Sequence, residues 1–269
     1  MSALSLLSVL RRLWAPERPA SLWRMLVVGA GVGLVVLGMG LFRDRGGSRW
    51  DFGGKVHLSF DDGADEAVTM ALLTTLAHYH VPASFFEVGS HLEQLPDHGR
   101  KLLAAKRAGG HVIGNHSFTH PHFPRLSQAQ IEWELHATET LLEEFTPWHL
   151  IRPPFGEDDA RVRALFQELG YREVTWHVQA TDYKWEAAYE RGEPGIRECY
   201  VDHIVEQASQ KHGGIILLHD TERITTDNLP AIIEALQQHE FTFVPLTYFL
   251  ELEVHQTRLH KIGTRALSP

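Results

Sequence analysis

Short apolar runs alternate with longer runs of helical periodicity from Lys55 onward. Short runs of apolar residues bounded by turn-forming residues predict β-strands. Seven such runs are present, at Lys55–Phe60, Ala83–Val88, His111–Gly114, His149–Ile151, Arg172–Val178, Gly214–Leu218 and Phe241–Val244. Strands that alternate with helices predict an α/β fold with a parallel sheet, either a barrel or an open sheet.

The clearest helical pattern lies at Ser127–Phe145, where the residues at 131, 135, 138, 142 and 145 fall on one face. Ser127 and Gln130 have the spacing of a capping box, which predicts that this helix begins just after Ser127. Further helices are predicted at Asp158–Leu169, which Gly170 would end, and at Arg197–Gln210 and Asn228–Gln238.

An uncharged run, Met25–Phe42, precedes this α/β region. As a helix it would be about 27 Å long, close to the thickness of a bilayer's hydrocarbon core. We expect a single transmembrane anchor with the N-terminus inside, so that the body lies outside the cytoplasm, in the periplasm or extracellular space. A cleaved signal peptide, which would make the protein secreted, and a buried core helix are the alternatives.

The chain therefore divides into five parts. We predict a cytoplasmic segment at 1–24, the anchor at 25–42, a linker at 43–54, an α/β domain at 55–255 and a C-terminal tail at 256–269.

Composition narrows the class of protein. The 269 residues are 43% hydrophobic and 22% charged, which is typical of a globular chain. A single cysteine, Cys199, excludes an intramolecular disulfide and a cysteine-rich zinc site. The net charge is −9, and the acidic residues are concentrated after residue 50, so nucleic-acid binding is not expected.

Polar side chains follow five of the predicted strands, at the point where each strand ends. They are Asp61 and Asp62 after the first strand, His116 and His120 after the third, Arg152 after the fourth, Asp182 after the fifth, and His219 and Asp220 after the sixth. If the strands are parallel, all of these side chains meet at one rim of the sheet.

This set of residues suits a hydrolytic metal centre. His116 and His120 are four residues apart, a spacing that would place both imidazoles on one face of a helical turn. Two neutral histidines and one carboxylate, from Asp61 or Asp62, leave coordination positions open for water and substrate. A cation would also relieve the repulsion between the adjacent carboxylates by binding one and leaving the other as a base.

The region from Lys55 to Leu250 resembles the polysaccharide deacetylases of the NodB-homology type, carbohydrate esterase family 4. Five segments match the motifs of that family in order: SFDDG, HSFTH, RPPFG, the stretch that leads to Asp182 and Tyr183, and LLHD. The resemblance implies a distorted (β/α)7-type barrel and metal-dependent hydrolysis of N-acetyl groups on an N-acetylglucosamine-containing cell-envelope polysaccharide. Peptidoglycan, chitin-like oligomers and exopolysaccharide are all open as the substrate.

The resemblance also implies roles for individual residues. Asp62, His116 and His120 would bind a divalent metal, with Zn²⁺ expected and Co²⁺ or Ni²⁺ as alternatives. The catalytic groups would be Asp61 as the general base, Arg152 as the residue that holds Asp61, His219 as the general acid and Asp182 as the residue that orients His219. The substrate would meet the backbone N–H of Phe155, the side chain of Tyr183, and Leu217 in the acetyl pocket.

Two positions depart from the family pattern. Tyr183 stands where tryptophan is usual, so either Tyr183 or Trp185 could form that wall of the site, and Phe155 stands where tyrosine is frequent. Two other functions stay open. One is a catalytically inactive carbohydrate-binding protein on the same fold, and the other is a hydrolase of a different amide or of an O-acetyl ester.

Overall fold

The computed structural model describes residues 51–63 and 66–253. Eight parallel strands form one sheet in this part of the chain: β1 (Lys55–Asp62), β2 (Ala83–Glu87), β3 (Val112–Asn115), β4 (Leu150–Ile151), β5 (Arg172–Glu173), β6 (Val178–Gln179), β7 (Gly213–His219) and β8 (Thr242–Phe243). Their order across the sheet is β5-β4-β3-β2-β1-β7-β6, and β8 pairs with the first residues of β1.

Helices connect the strands. They are α1 (Glu66–Tyr79), α2 (Gly89–Glu93), α3 (Pro96–Ala108), α4 (Gln128–Leu142), α5 (Ala160–Glu168), α6 (Asp182–Glu190), α7 (Ile196–Lys211) and α8 (Arg223–Gln238), followed by helical residues 246–253. None of the described helices is both long and apolar enough to cross a membrane. Met25–Phe42 lies outside the described residues, so the predicted anchor stays a prediction.

The sheet curls so far that its two edges approach each other. β5 and β6 lie at opposite ends of the strand order, yet only residues 174–177 separate them in the chain. An extended segment of that length reaches at most about 18 Å, so the edges face each other across a narrow seam. The predicted α/β fold is confirmed as a curled parallel half-barrel with an open seam.

The seam explains why one predicted strand is wrong in detail. The sequence pattern predicts a single strand at Arg172–Val178, but the segment divides between β5 and β6. Its start pairs with β4, where Val174 N donates to Ile151 O over 2.8 Å. Its end pairs with β7, where His177 N donates to Ile215 O over 2.9 Å. A segment that changes partners across the seam cannot keep one continuous strand.

The two faces of β1 have different surroundings. Val56, Leu58 and Phe60 join a large apolar cluster with α1, α7 and α8. The alternate side chains, His57, Ser59 and Asp61, point to the other face and are also buried. The strand therefore places a row of polar groups in the interior of the half-barrel, and that row ends at the rim.

Helix α4 begins at the predicted residue and buries the predicted face. Ser127 Oγ accepts a hydrogen bond from Gln130 N, and the side chain of Gln130 accepts one from Ser127 N, so the predicted capping box is confirmed. Ile131, Leu135, Thr138 and Leu142 are buried on the predicted face.

We predict that Ser127→Ala lowers the free energy of unfolding by about 1 kcal/mol, because a donor at the helix start loses its partner. Urea denaturation of the full-length protein would measure this. Thr140→Ala, at an exposed position in the same helix, is the matched control. It should have little effect, because the higher helix propensity of alanine offsets the loss of the exposed hydrogen bond from Thr140 Oγ1 to His136 O. Equal stability of the two variants would contradict the assignment of the cap.

Candidate active site

The predicted site residues meet at the carboxyl-terminal rim of the sheet. Asp61 and Asp62 end β1, His219 ends β7, and Asp182 begins α6 after β6. Asp61, Asp62 and His219 line a cavity of about 410 Å³, which falls within the usual range for small-molecule sites. The cavity is lined by Asp61, Asp62, His116, His120, Phe155, Gly156, Trp176, Gln179, Tyr183, Leu217, His219 and Glu222.

Asp62, His116 and His120 form a group that could hold a metal ion. One ligand atom from each lies within 4.8 Å of the others. Asp62 Oδ1 is 3.5 Å from His116 Nε2 and 3.4 Å from His120 Nε2. This oxygen is buried and accepts no hydrogen bond. A buried carboxylate oxygen without a partner is unfavourable unless a cation satisfies it, so the residues fit a divalent metal.

Both histidines are set up to act as neutral ligands. His116 Nδ1 donates to the carbonyl oxygen of Arg152 over 2.6 Å, which leaves Nε2 free to face Asp62. Burial lowers the pKa of His116 to about 3. Burial also lowers the pKa of His120, although Asp62 and Asp61 act in the opposite direction. Neutral imidazole is the form that coordinates metals.

The expectation that a helical turn joins the two histidines is wrong. Residues 116–120 form a loop in which Ser117 and His120 have positive φ, at 68° and 57°. Glu134 of α4 holds this loop, accepting hydrogen bonds from the backbone N–H groups of Phe118 and Thr119 at 2.8 and 2.7 Å. These contacts replace helical hydrogen bonds and still bring the two imidazole centroids to 5.0 Å. Sequence reasoning missed Glu134, because nothing in its helical pattern distinguishes it from a surface acid.

Asp61 lies beside the metal-binding group and is held by Arg152. Arg152 Nη1 donates to Asp61 Oδ1 over 2.7 Å and to Ser59 Oγ over 2.9 Å, and Nε donates to Val174 O over 3.0 Å. The guanidinium is completely buried and lies 4.1 Å from the centroid of the Phe86 ring. Burial raises the pKa of Asp61, while Arg152 opposes that shift.

His219 and Asp182 form the opposite wall. His219 Nδ1 donates to Asp182 Oδ1, and the backbone N of His219 donates to Oδ2, both over 2.7 Å. Thr225 Oγ1 adds a third hydrogen bond to Asp182 at 2.8 Å. Burial alone would lower the pKa of His219, but the hydrogen bond and charge of Asp182, aided by Asp61 and Asp62, raise it to about 9.

The remaining predicted residues also line the cavity. Phe155, with φ of 61°, projects an exposed ring that stacks on His122 at 4.1 Å between centroids. Leu217 is buried at the cavity wall, and the exposed ring of Tyr183 meets the His219 ring edge-on at 6.0 Å. Trp185 instead packs against the large apolar cluster, so Tyr183 is the residue of that pair that lines the cavity.

Sequence reasoning missed other lining residues. Trp176 lies in the seam between β5 and β6, so its position depends on how the sheet curls. Gly156 lies under the Trp176 ring so closely that a Cβ there would be 2.4 Å from a ring carbon. Glu222 follows His219 closely in sequence, and that short interval after the LLHD segment is the one signal that could have indicated it.

The curled parallel sheet carries two groups at one rim, an Asp–His–His group that could hold a metal ion and a His–Asp pair, and this arrangement is suited to a hydrolase. A family model described as polysaccharide deacetylase matches residues 52–174. The chain is 30% identical to peptidoglycan-N-acetylmuramic acid deacetylase PdaA of Bacillus subtilis, over 70% of this chain and 68% of that protein.

Peptidoglycan-N-acetylglucosamine deacetylase PgdA of Listeria monocytogenes is 28% identical over 78% of this chain, which spans only 42% of that longer protein. The solved family 4 carbohydrate esterase from Streptomyces lividans, in complex with acetate, superposes with a TM-score of 0.58 at 30% identity and covers 70% of this chain and 90% of its own. The chain belongs to the polysaccharide deacetylase family, carbohydrate esterase family 4, as the five motifs predicted, and is a deacetylase of the hydrolase class.

The Asp182–His219 pair predicts a change in pH dependence. Asp182→Asn removes the charge that raises the pKa of His219, so His219 should lose its proton at a lower pH. We expect the alkaline limb of the plot of deacetylation rate against pH to move to lower pH by roughly 1 to 3 units. Asp227→Asn, at an exposed carboxylate on α8, is the control and should leave the profile in place. An unmoved alkaline limb in Asp182→Asn would show that Asp182 does not raise the pKa of His219 in the working enzyme.

Proposed function

We propose that this protein removes N-acetyl groups from an N-acetylglucosamine-containing polysaccharide of the cell envelope, with peptidoglycan as the leading substrate. The observation that carries the proposal is the buried Asp62 Oδ1, which has no hydrogen-bond partner and lies between the Nε2 atoms of two neutral histidines. A divalent cation at this point, with zinc the best match to a His₂–carboxylate set, would polarise the acetyl carbonyl and lower the pKa of water.

Asp61 is suited to take a proton from the attacking water. Arg152 occupies its Oδ1, while Oδ2 lies 3.7 Å from His116 Nε2 and therefore faces the metal-binding group. Burial raises the pKa of Asp61, which makes the carboxylate a stronger base than an exposed aspartate. The fixed guanidinium keeps the same group oriented.

His219 is suited to protonate the leaving amine. Asp182 engages Nδ1, so the second ring nitrogen, Nε2, is the one left to deliver a proton in the cavity. A pKa of about 9 keeps the ring protonated at neutral pH. Base and acid thus stand at different walls of one cavity, with the metal-binding group beside the base.

The cavity walls suit an acetylated sugar. Leu217 gives an apolar surface for the acetyl methyl group. The exposed rings of Phe155 and Tyr183 offer flat apolar surfaces to sugar rings at the mouth. The backbone N–H of Phe155, on a turn with positive φ, is the donor that we assign to the developing oxyanion.

We further propose that residues 25–42 anchor the protein in a membrane and hold the catalytic domain outside the cytoplasm. The uncharged run and its flanking arginines support this placement. Envelope glycans lie on that side of the membrane. The relatives whose names specify peptidoglycan sugars are consistent with such a substrate.

The first test is acetate release by the full-length protein from N-acetylglucosamine oligomers and from peptidoglycan, with and without chelator. We expect release that chelator abolishes and zinc restores. An O-acetylated polymer is the comparison substrate, since the same groups could hydrolyse an ester. Zinc binding without acetate release from any N-acetylated polymer would overturn the proposed reaction.

The second test separates base from ligands. Asp61→Asn should abolish turnover and leave the zinc content near normal, because Asp61 is not a ligand in this assignment. His116→Ala and His120→Ala should lose zinc and activity together. His136→Ala, at an exposed histidine on α4, is the control and should retain both. Full activity of Asp61→Asn would remove Asp61 from the mechanism.

A further inference from the structure

A cluster of charged side chains lies buried beside the turn formed by Asp62 and Gly63. It consists of Glu87 at the end of β2, Lys106 in the last turn of α3 and Asp220 just after β7, and all three are shielded from solvent. The Lys106 ammonium forms an ion pair with Glu87 and lies 3.6 Å from Asp220 Oδ2. Buried ion pairs contribute little to stability, because the cost of desolvation opposes their attraction. Stability therefore does not explain why these charges are buried here.

Both carboxylates lie against the backbone that follows Asp62, and Asp220 is hydrogen-bonded to it. Asp220 Oδ1 accepts a hydrogen bond from Gly63 N over 2.8 Å. Glu87 is the register partner of Asp62, and its Oε2 lies so near Gly63 that an added Cβ would be 2.2 Å away. Only glycine can occupy position 63 while Glu87 keeps this place.

The same turn is held from its other side. His91 Nδ1 donates to Asp62 O over 2.8 Å and lies 3.1 Å from Gly63 O. Asp62 has φ of 79°, a left-handed conformation that is unfavourable for a residue with a Cβ. Such a conformation persists only where surrounding contacts determine it, and His91 and Asp220 are those contacts here.

The cluster is also linked to the first histidine ligand. The backbone N of His116 donates to Glu87 O over 2.9 Å. Glu87 therefore contacts the Asp62 turn through its side chain and the His116 segment through its backbone. None of the three charged residues lines the catalytic cavity, so any effect on the reaction passes through these neighbours.

We propose that Glu87, Lys106 and Asp220 are positioning residues that fix the Asp62–Gly63 turn, so that Asp62 Oδ1 faces the Nε2 atoms of His116 and His120. Lys106 balances two carboxylates that would otherwise repel each other and Asp62. This inference rests on the proposed function, because it takes Asp62 as a metal ligand.

Zinc affinity tests the inference without a need for activity. Competition with a chromophoric chelator would measure it in the full-length protein. Asp220→Ala removes the acceptor for Gly63 N–H and should weaken zinc binding by roughly tenfold or more, the usual scale for groups that support a ligand. Asp220→Asn keeps an oxygen acceptor and should lie between Asp220→Ala and the wild type. Lys106→Met, which removes the balancing charge, should also weaken binding.

A core variant controls for general destabilisation. Leu236→Ala truncates a fully buried residue of α8 in the large apolar cluster and should leave zinc affinity unchanged at temperatures where circular dichroism shows a folded protein. Glu87→Gln keeps the shape of Glu87 but removes its charge, so it should also weaken zinc binding. It serves as the test if the other variants do not fold. Zinc affinity equal to wild type in folded Asp220→Ala or Glu87→Gln, or an equal loss in Leu236→Ala, would overturn the inference. Failure of the wild type to bind zinc would instead refute the metal site.

Discussion

The rim of this fold depends on one buried ion pair, between Arg152 and Asp61. Arg152 contacts β1 through Asp61 and Ser59, the seam through Val174 O, and β3 through its backbone N–H to Asn115 O. Its own carbonyl fixes the ring of His116. Removing one partner of a buried pair typically costs about 3–5 kcal/mol, because an uncompensated charge remains. Stability of the half-barrel and orientation of the site are therefore set by the same contacts.

The site contains histidines in two opposite protonation states. His116 is buried beside a backbone carbonyl and a buried arginine, and burial lowers its pKa to about 3. His219 is buried against Asp182, whose hydrogen bond raises its pKa to about 9. A neutral ring suits metal coordination, while a protonated ring suits proton donation. Their different hydrogen-bond partners, a carbonyl for His116 and a carboxylate for His219, account for the difference between their pKa values within a single cavity.

The sequence predicted the parts of the site that strand ends determine. Asp61, Asp62, Arg152 and His219 follow apolar runs, and parallel strands bring such positions to one rim. It did not predict the seam, because the choice of partner for residues 172–179 depends on the curl of the whole sheet. For the same reason it missed Trp176. The loop at 116–120 was also missed, since its conformation depends on hydrogen bonds that its backbone N–H groups donate to Glu134, a residue outside the motif on helix α4.

Backbone strain is concentrated where the chemistry is proposed. Five of the non-glycine residues with positive φ in the described chain lie at or beside the cavity: Asp62, Ser117, His120, Phe155 and Thr181. Each such conformation typically costs about 1–3 kcal/mol and requires surrounding contacts to hold it. The contacts around the first three are mostly buried polar side chains, with Asp220 on the Asp62 turn and Glu134 on the histidine loop. A purely apolar interior would be easier to stabilise, but it could not hold these turns, so the buried charge of this domain is a requirement of its site geometry.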